Sequence, residues 1–207
     1  MTNNKIAIIG YSGHSYAVLS SLIAAEHRIH FYCDDKEKSF NPFHLSYLGS
    51  ERSDDFLFKL RELDYFVSIG DSAIRRKIQE SLCQYSHPPI NVIDPKASLQ
   101  FGIDLGHGIF IAPNCSVNAL SVIGDGVVCN TGSIIEHECQ IGKYSFISPG
   151  AVLCGNVIIG ENTFIGANSI IKQGVKIGSH VVIGAGSVVL EDLPDGTRVV
   201  GNPIRTI

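Results

Sequence analysis

From residue 93 onward the chain follows a strict six-residue rhythm. Every sixth residue from Ile93 to Val189 gives seventeen positions, of which sixteen are Ile, Leu or Val and the other is Cys129. From Leu105 the next residue favours glycine (106, 124, 142, 160, 166, 178 and 184), and the fifth of each six is small or β-branched, as at Cys115, Ser133, Ala151 and Val181. A helix needs a 3.6-residue period and an isolated strand a period of two, so neither fits. A period of six with no insertion is the hexapeptide repeat of a parallel β-helix. Each hexad is a short strand and a turn, and three hexads close one triangular coil of about eighteen residues, stacked on its neighbours. The large aliphatic and the small fifth residue are expected to point inward, with the glycine-favoured position allowing a tight corner.

The first ninety residues follow another pattern. Lys5–Gly10 reads as a buried strand running into the turn Gly10-Tyr11-Ser12-Gly13-His14, and a helical spacing follows through Ala17, Val18, Ser21, Leu22 and Ala25. A second strand, His30–Cys33, ends in Asp34-Asp35. A third, Tyr65–Ile69, ends in Gly70-Asp71 ahead of a helix containing Ile74, Arg75 and Ile78. Alternating strands and helices predict a small parallel α/β unit, in which ligands bind beyond the carboxyl ends of the strands. Three polar clusters, Ser12-Gly13-His14, Asp34-Asp35 and Gly70-Asp71, fall at such ends. Glycines there let backbone N–H groups approach a phosphate, and an Asp about twenty residues further can bond a ribose or base edge. The turn lacks G-x-G-x-x-G, so it is not a dinucleotide fingerprint; it is either nucleotide-binding or plain strand–helix punctuation.

Composition sharpens the division. Residues 1–92 hold four of the 21 glycines but 21 of the 36 charged residues. The boundary is expected near Pro88-Pro89, giving domains 1–90 and 91–207. A net charge of −4 with no basic run argues against nucleic acid or anionic membrane as partner. No apolar stretch approaches the ~18 residues of a membrane helix, and the first ten residues do not resemble an export signal, so a cytoplasmic location is expected. The six cysteines show no C-x-x-C spacing and read as reduced thiols or core residues.

Of eight histidines, only 107, 137 and 180 lie in the repeat. Their wide spacing gives no support to a zinc site, so no metal is expected. His137 follows Ile135 at a coil corner inside Glu136-His137-Glu138, where a carboxylate can fix one imidazole tautomer. The alternative is an ordinary solvated turn.

Together these residues resemble the bacterial sugar acyltransferases of the PglD/NeuD type. The likeness is carried by Ile8-Ile9-Gly10 with Ser12-Gly13-His14, Asp34-Asp35, Ile69-Gly70-Asp71 with Ile74-Arg75, Asn130-Thr131, Ile135–Cys139, Pro149-Gly150-Ala151, Gly155-Asn156-Val157 and Val200-Gly201-Asn202-Pro203. The resemblance implies a Rossmann-like domain followed by a left-handed β-helix, assembled as a homotrimer. It implies acetyl-CoA-dependent N-acetylation of the 4-amino group of a nucleotide-linked amino-deoxysugar, UDP being the first choice, for surface-glycan biosynthesis. His137 would be the general base and Glu138 its orienting carboxylate. Ser12, Gly13, His14, Asp34, Asp35 and Gly70 would hold the nucleotide sugar. Acetyl-CoA would lie between two subunits near Phe146, Gly155, Ala167 and Ala185, with Pro203 and Arg205 towards its adenine end. Phe146 stands where many relatives carry a second histidine, and Ala185 where relatives carry glycine. An amine must be neutral to attack a thioester, and an imidazole with the usual pKa of about 6.5 can accept its proton while backbone N–H groups at a glycine corner stabilise the oxyanion. Two other readings stay open: O-acetylation of sialic acid or another sugar, and a non-catalytic nucleotide-sugar-binding β-helix.

Overall fold

The computed structural model describes residues 5–207, apart from the Asp54 side chain. It divides into two compact units, Met1–Val92 and Ile93–Ile207.

The first unit is a parallel α/β layer. Strands β1 (Ile6–Ile9), β2 (Ile29–Cys33), β3 (Ser46–Tyr47) and β4 (Asp64–Val67) form a sheet in the order β3-β2-β1-β4. Helices α1 (Gly13–Ala24) and α2 (Asp54–Leu60) make crossovers within the sheet, and α3 (Ser72–Leu82) follows β4. The three strands read from sequence are present, the third ending at Val67 rather than Ile69. The edge strand β3 and helix α2 are additions; α2 is opened by Ser53, whose side chain accepts from the Phe56 N–H. The chain runs outward from β1 to β2 and β3, then returns to place β4 on the other side of β1. The carboxyl ends of β1 and β4 therefore flank the topological switch point, where such sheets bind ligands. Ser68 draws those ends together, donating from Oγ to the carbonyls of Ile9 (3.1 Å) and Gly10 (2.7 Å). Gly10 (φ +86°) turns where a Cβ would lie 2.7 Å from Cγ1 of Ile69, so both conformation and space require glycine.

The second unit is a parallel β-helix. Seventeen two-residue strands among the described residues, β5 (Val92–Ile93) to β21 (Val188–Val189), recur every six residues and pair with strands eighteen residues away. They form three sheets. One contains β12 (Ile134–Ile135) and β15 (Val152–Leu153); another contains β14 (Phe146–Ile147), β17 (Phe164–Ile165) and β20 (Val182–Ile183), and ends in β22 (Arg198–Val200) and β23 (Arg205–Thr206). The aliphatic column is buried as expected, with Ile135, Leu153, Ile165 and Ile171 fully inside. The small fifth position is inward too. Its hydroxyls donate to a carbonyl fifteen residues on, as in Ser121 to Glu136 (3.0 Å), Ser145 to Gly160 (2.7 Å) and Thr163 to Gly178 (2.7 Å), so these buried polar groups are satisfied.

One expectation is corrected. The glycine-favoured second position does not make the corner. At Gly142 a Cβ would sit 2.6 Å from the carbonyl carbon of Gly160, and at Gly166 one would sit 2.5 Å from the Ala185 nitrogen. These glycines let successive coils approach. The corner is the fourth position: every sixth residue from Gly102 to Gly186 has φ between +51° and +75°. Glycine and asparagine fill most of these corners, but Leu120, Glu138, Tyr144 and His180 occupy the rest.

Candidate active site

Ile135 anchors the coil, and Glu136-His137-Glu138 form the corner behind it. The backbone is fixed by both neighbouring coils: the Glu138 N–H donates to the Ala119 carbonyl (2.9 Å), and the Asn156 N–H donates to that of His137 (2.8 Å). Glu138 has φ +60°, a conformation costly to a side chain with a Cβ. Its carboxylate Oε2 lies 3.0 Å from Nδ1 of His137. An ionised carboxylate only accepts, so Nδ1 carries the proton and Nε2 presents a lone pair. Both side chains are more than half exposed, His137 at 52% and Glu138 at 59%.

Gly155 lies eighteen residues on, at the same corner of the next coil. A Cβ there would lie 2.6 Å from both Cε1 and Nε2 of His137. The imidazole thus rests against the glycine, with its proton-accepting edge over the bare Cα. The family resemblance implies a place for Gly155 beside acetyl-CoA; the structure adds that it seats the ring. A histidine and a glycine one coil apart were the signal available for this.

The other residues expected to hold acetyl-CoA lie elsewhere on the prism. Phe146 opens β14, is half-buried and stacks on Phe164 with ring centroids 5.6 Å apart. Ala167 and Ala185 follow β17 and β20 on the next corner, and Arg205 lies in β23 of that same sheet. Pro203, after a cis peptide bond from Asn202, is exposed. Arg205 joins Arg198, Leu193 and Ile204 around a cleft of about 610 Å³. Within one chain the structure brings together His137, Glu138 and Gly155. It places Phe146, Ala167, Ala185 and Arg205 on another face and edge.

In the first unit, Ser12 and Gly13 stand exposed at the start of α1, where the Ser12 backbone N–H donates to Ser15 Oγ (2.8 Å) and that hydroxyl returns a bond to the Ser12 carbonyl (2.6 Å). His14 is close by Gly70, where a Cβ would lie 3.9 Å from that of His14. Burial first, and then the Arg75 charge, lower the His14 pKa to about 4, so it is a neutral imidazole at pH 7. Asp34 is committed to the fold: Oδ2 accepts from the Tyr11 N–H (2.9 Å), and Oδ1 accepts from the Asp35 N–H (2.8 Å) and pairs with Lys38 Nζ (2.8 Å). It shapes the turn, while Asp35 stands exposed beside it. Arg75 is fully buried, which its place in a helical pattern did not signal. Cys139 is buried and its thiol is pushed up to about 11, a poor nucleophile. Among the described residues no three His, Cys, Asp or Glu side chains group to hold a metal ion, and no helix is long and apolar enough to cross a membrane.

Residues 5–82 match the family model of the PglD N-terminal domain, and residues 156–191 match that of the hexapeptide repeat of succinyl-transferase. The structure is similar to the acetyltransferase domain of PglB from Neisseria gonorrhoeae, solved with acetyl coenzyme A, at TM-score 0.93 and 32% identity, covering 99% of this chain and 100% of that one. It is similar to PerB from Caulobacter crescentus, solved with CoA and GDP-perosamine, at TM-score 0.91 and 32% identity, covering 100% and 98%. A GDP-perosamine N-acetyltransferase from Escherichia coli O157:H7 is 36% identical over 94 residues, 45% of this chain and 42% of that protein, so the match spans less than half of that curated relative. By its full-length likeness to the PglB domain and to PerB, the chain belongs to the hexapeptide-repeat sugar acetyltransferases.

Proposed function

We propose that the protein transfers the acetyl group of acetyl-CoA to the 4-amino group of a nucleotide-linked amino-deoxysugar. The observation that carries this reading is the His137–Glu138 pair, with Nδ1 held by the carboxylate and Nε2 resting over Gly155. The neutral amine attacks the thioester carbonyl, and Nε2 of His137 takes the proton released from nitrogen. The tetrahedral intermediate collapses with cleavage of the C–S bond, and the imidazolium returns the proton to the leaving CoA thiolate. Glu138 stabilises the imidazolium between these transfers. No covalent acyl-enzyme is required, because the thioester is already activated.

The nucleotide belongs to the first unit, with Ser12, Gly13, His14, Asp35 and Gly70 at the strand ends as its contacts. The resemblance read from sequence makes UDP the first choice, but the relatives above 30% identity whose names state a nucleotide carry GDP, and a GDP-linked sugar takes first place. The acetyl-CoA residues support a homotrimer. His137 and Gly155 follow one sheet, while Phe146 and Arg205 lie in another and Ala167 and Ala185 follow it, an arrangement that suits a CoA held between two chains, as the family resemblance implies. Outward-facing Ile134, Phe164 and Ile170, each 37–43% exposed, give those faces apolar surface to cover. A cytoplasmic enzyme of surface-glycan biosynthesis is the setting that fits these substrates.

A thiol-release assay with acetyl-CoA against GDP-, UDP- and dTDP-linked 4-amino-deoxysugars and free sialic acid tests the proposal. Turnover on one nucleotide-linked 4-amino sugar is expected. Turnover on sialic acid alone would replace it with O-acetylation, and binding without turnover on any acceptor would replace it with a sensor. Sedimentation equilibrium is expected to give three times the 22.4 kDa chain mass; a monomer would overturn the shared-site arrangement.

A further inference from the structure

Arg75 is fully buried, and arginine is almost never buried without a structural purpose. It sits in the first turn of α3, and its guanidinium folds back on the loop that leads into the helix. Nη1 donates to the carbonyls of Ile69 (2.8 Å) and Gly70 (3.0 Å), and Nη2 donates to Ser72 Oγ (3.2 Å). This loop leaves β4 on one side of the switch point. His14 enters from β1 on the other side, adjacent to Gly70, and feels the Arg75 charge. The guanidinium therefore lies beneath the meeting point of two strand–helix turns. Carbonyl oxygens turned towards an anion repel it. Arg75 draws two of them onto Nη1 and places a fixed positive charge behind the loop, where His14, being neutral, supplies none.

We propose that Arg75 is a positioning residue that makes the crevice between β1 and β4 a diphosphate site: it fixes the Ile69–Ser72 loop and biases the crevice towards a nucleoside diphosphate over the monophosphate without touching the ligand. This rests on the reading of the first unit as the nucleotide-sugar module. For a ligand charge roughly 8–12 Å away, a unit charge acting through an effective dielectric of about 20 changes affinity by roughly 10- to 30-fold, and a diphosphate carries about one charge more than a monophosphate.

The test is titration calorimetry of the full-length protein with GDP, GMP, UDP and UMP, on wild type, Arg75→Met, Arg75→Lys and Ser72→Ala. Wild type is expected to prefer the diphosphate of its own nucleoside. Arg75→Met is expected to narrow that preference by roughly 10- to 30-fold, with the KM for acetyl-CoA unchanged. Arg75→Lys keeps the charge and is expected to retain the preference while weakening both ligands; Ser72→Ala removes one anchor of the guanidinium and is likewise expected to weaken both ligands and retain the preference. Equal losses for mono- and diphosphate in Arg75→Met, or none, would overturn the proposal. Should Arg75→Met fail to fold, a lost preference in a folded Arg75→Lys would overturn it. Failure of wild type to bind any of the four ligands would instead overturn the nucleotide-sugar reading itself, whereas wild-type binding with an unaltered preference in the variants would remove only the role of Arg75.

Discussion

Replacing Gly155 by alanine puts a methyl carbon 2.6 Å from both Cε1 and Nε2 of His137. Non-bonded carbon atoms settle at about 3.5–4.0 Å, so the ring must retreat by roughly 1 Å or swing to another rotamer. The backbone at 155 is outside the left-handed region, and the group that must yield is the far end of a half-exposed side chain. The stability cost is therefore about 1 kcal/mol or less, the scale of an off-rotamer side chain. Catalysis has no such tolerance. A displacement of about 1 Å can cost on the order of 10² in rate, and complete loss of a general base costs about 10²–10⁴. Gly142→Ala is the contrasting substitution: its methyl would also lie 2.6 Å from a neighbour, but that neighbour is the Gly160 carbonyl carbon, in the backbone of the next coil. Backbone cannot swing aside, so overpacking of about 1–3 kcal/mol or more is expected. Thiol release measured beside calorimetric Tm separates the two. Gly155→Ala is expected to lose about 10² or more in kcat with Tm lowered by no more than about 4 °C; Gly142→Ala is expected to lose more stability. A Gly155→Ala enzyme with kcat within about threefold of wild type, against that 10² expectation, would refute the reasoning, as would equal stability losses at both sites.

Three further predictions concern strain and charge. Glu138 holds a left-handed backbone that costs about 1 kcal/mol for a residue with a Cβ, so Glu138→Gly is expected to leave Tm unchanged or raised while lowering kcat; a lower Tm with full activity would contradict the role of Glu138. Glu138→Gln removes the carboxylate charge at His137 Nδ1 and is expected to lower kcat without changing acetyl-CoA affinity, which a binding titration beside the thiol assay checks. His14 takes up a proton only below about pH 4 in the fold, against about 6.5 when unfolded. Between those values the unfolded chain binds more protons, so stability falls as pH drops from 6.5 towards 4, by up to about 3 kcal/mol from this group. Urea unfolding at pH 7 and pH 4.5 is expected to show a smaller pH loss for His14→Gln than for wild type; identical losses would exclude the buried neutral state.

The β-helix is legible in the sequence because its constraint recurs: one aliphatic must enter the prism every six residues, and Ile93 to Val189 show it without interruption. The corners are only partly legible. Glycine answers two needs, a left-handed φ and the close approach of a neighbouring coil, and glycine alone does not separate them. The corner position holds Gly or Asn in most coils but Leu, Glu, Tyr and His in the rest, so residue type marks it incompletely, and Gly142 and Gly166, which look like corners, serve clearance instead. In the first unit the apolar strands stand out, whereas β3, two residues long, and α2, seven residues long, carry too little periodicity to register. The site divides along the same line. His137 and Glu138 are recognisable because they are neighbours in sequence. Asp34 reads as facing a ligand, but its carboxylate bonds Tyr11, a contact across 23 residues that no local pattern encodes. Arg75 resembles any solvated helical arginine in the sequence, and only the fold reveals the loop carbonyls it holds.

The most direct measurement is the paired one on His137→Ala: kcat for thiol release with acetyl-CoA and the best nucleotide-linked 4-amino sugar, alongside the calorimetric Kd for acetyl-CoA. Acting as the general base, His137 predicts a fall in kcat of roughly 10²–10⁴ with acetyl-CoA affinity nearly intact. Retained turnover, or loss of acetyl-CoA binding matching the loss of rate, would contradict it and move the chemistry away from this corner of the β-helix.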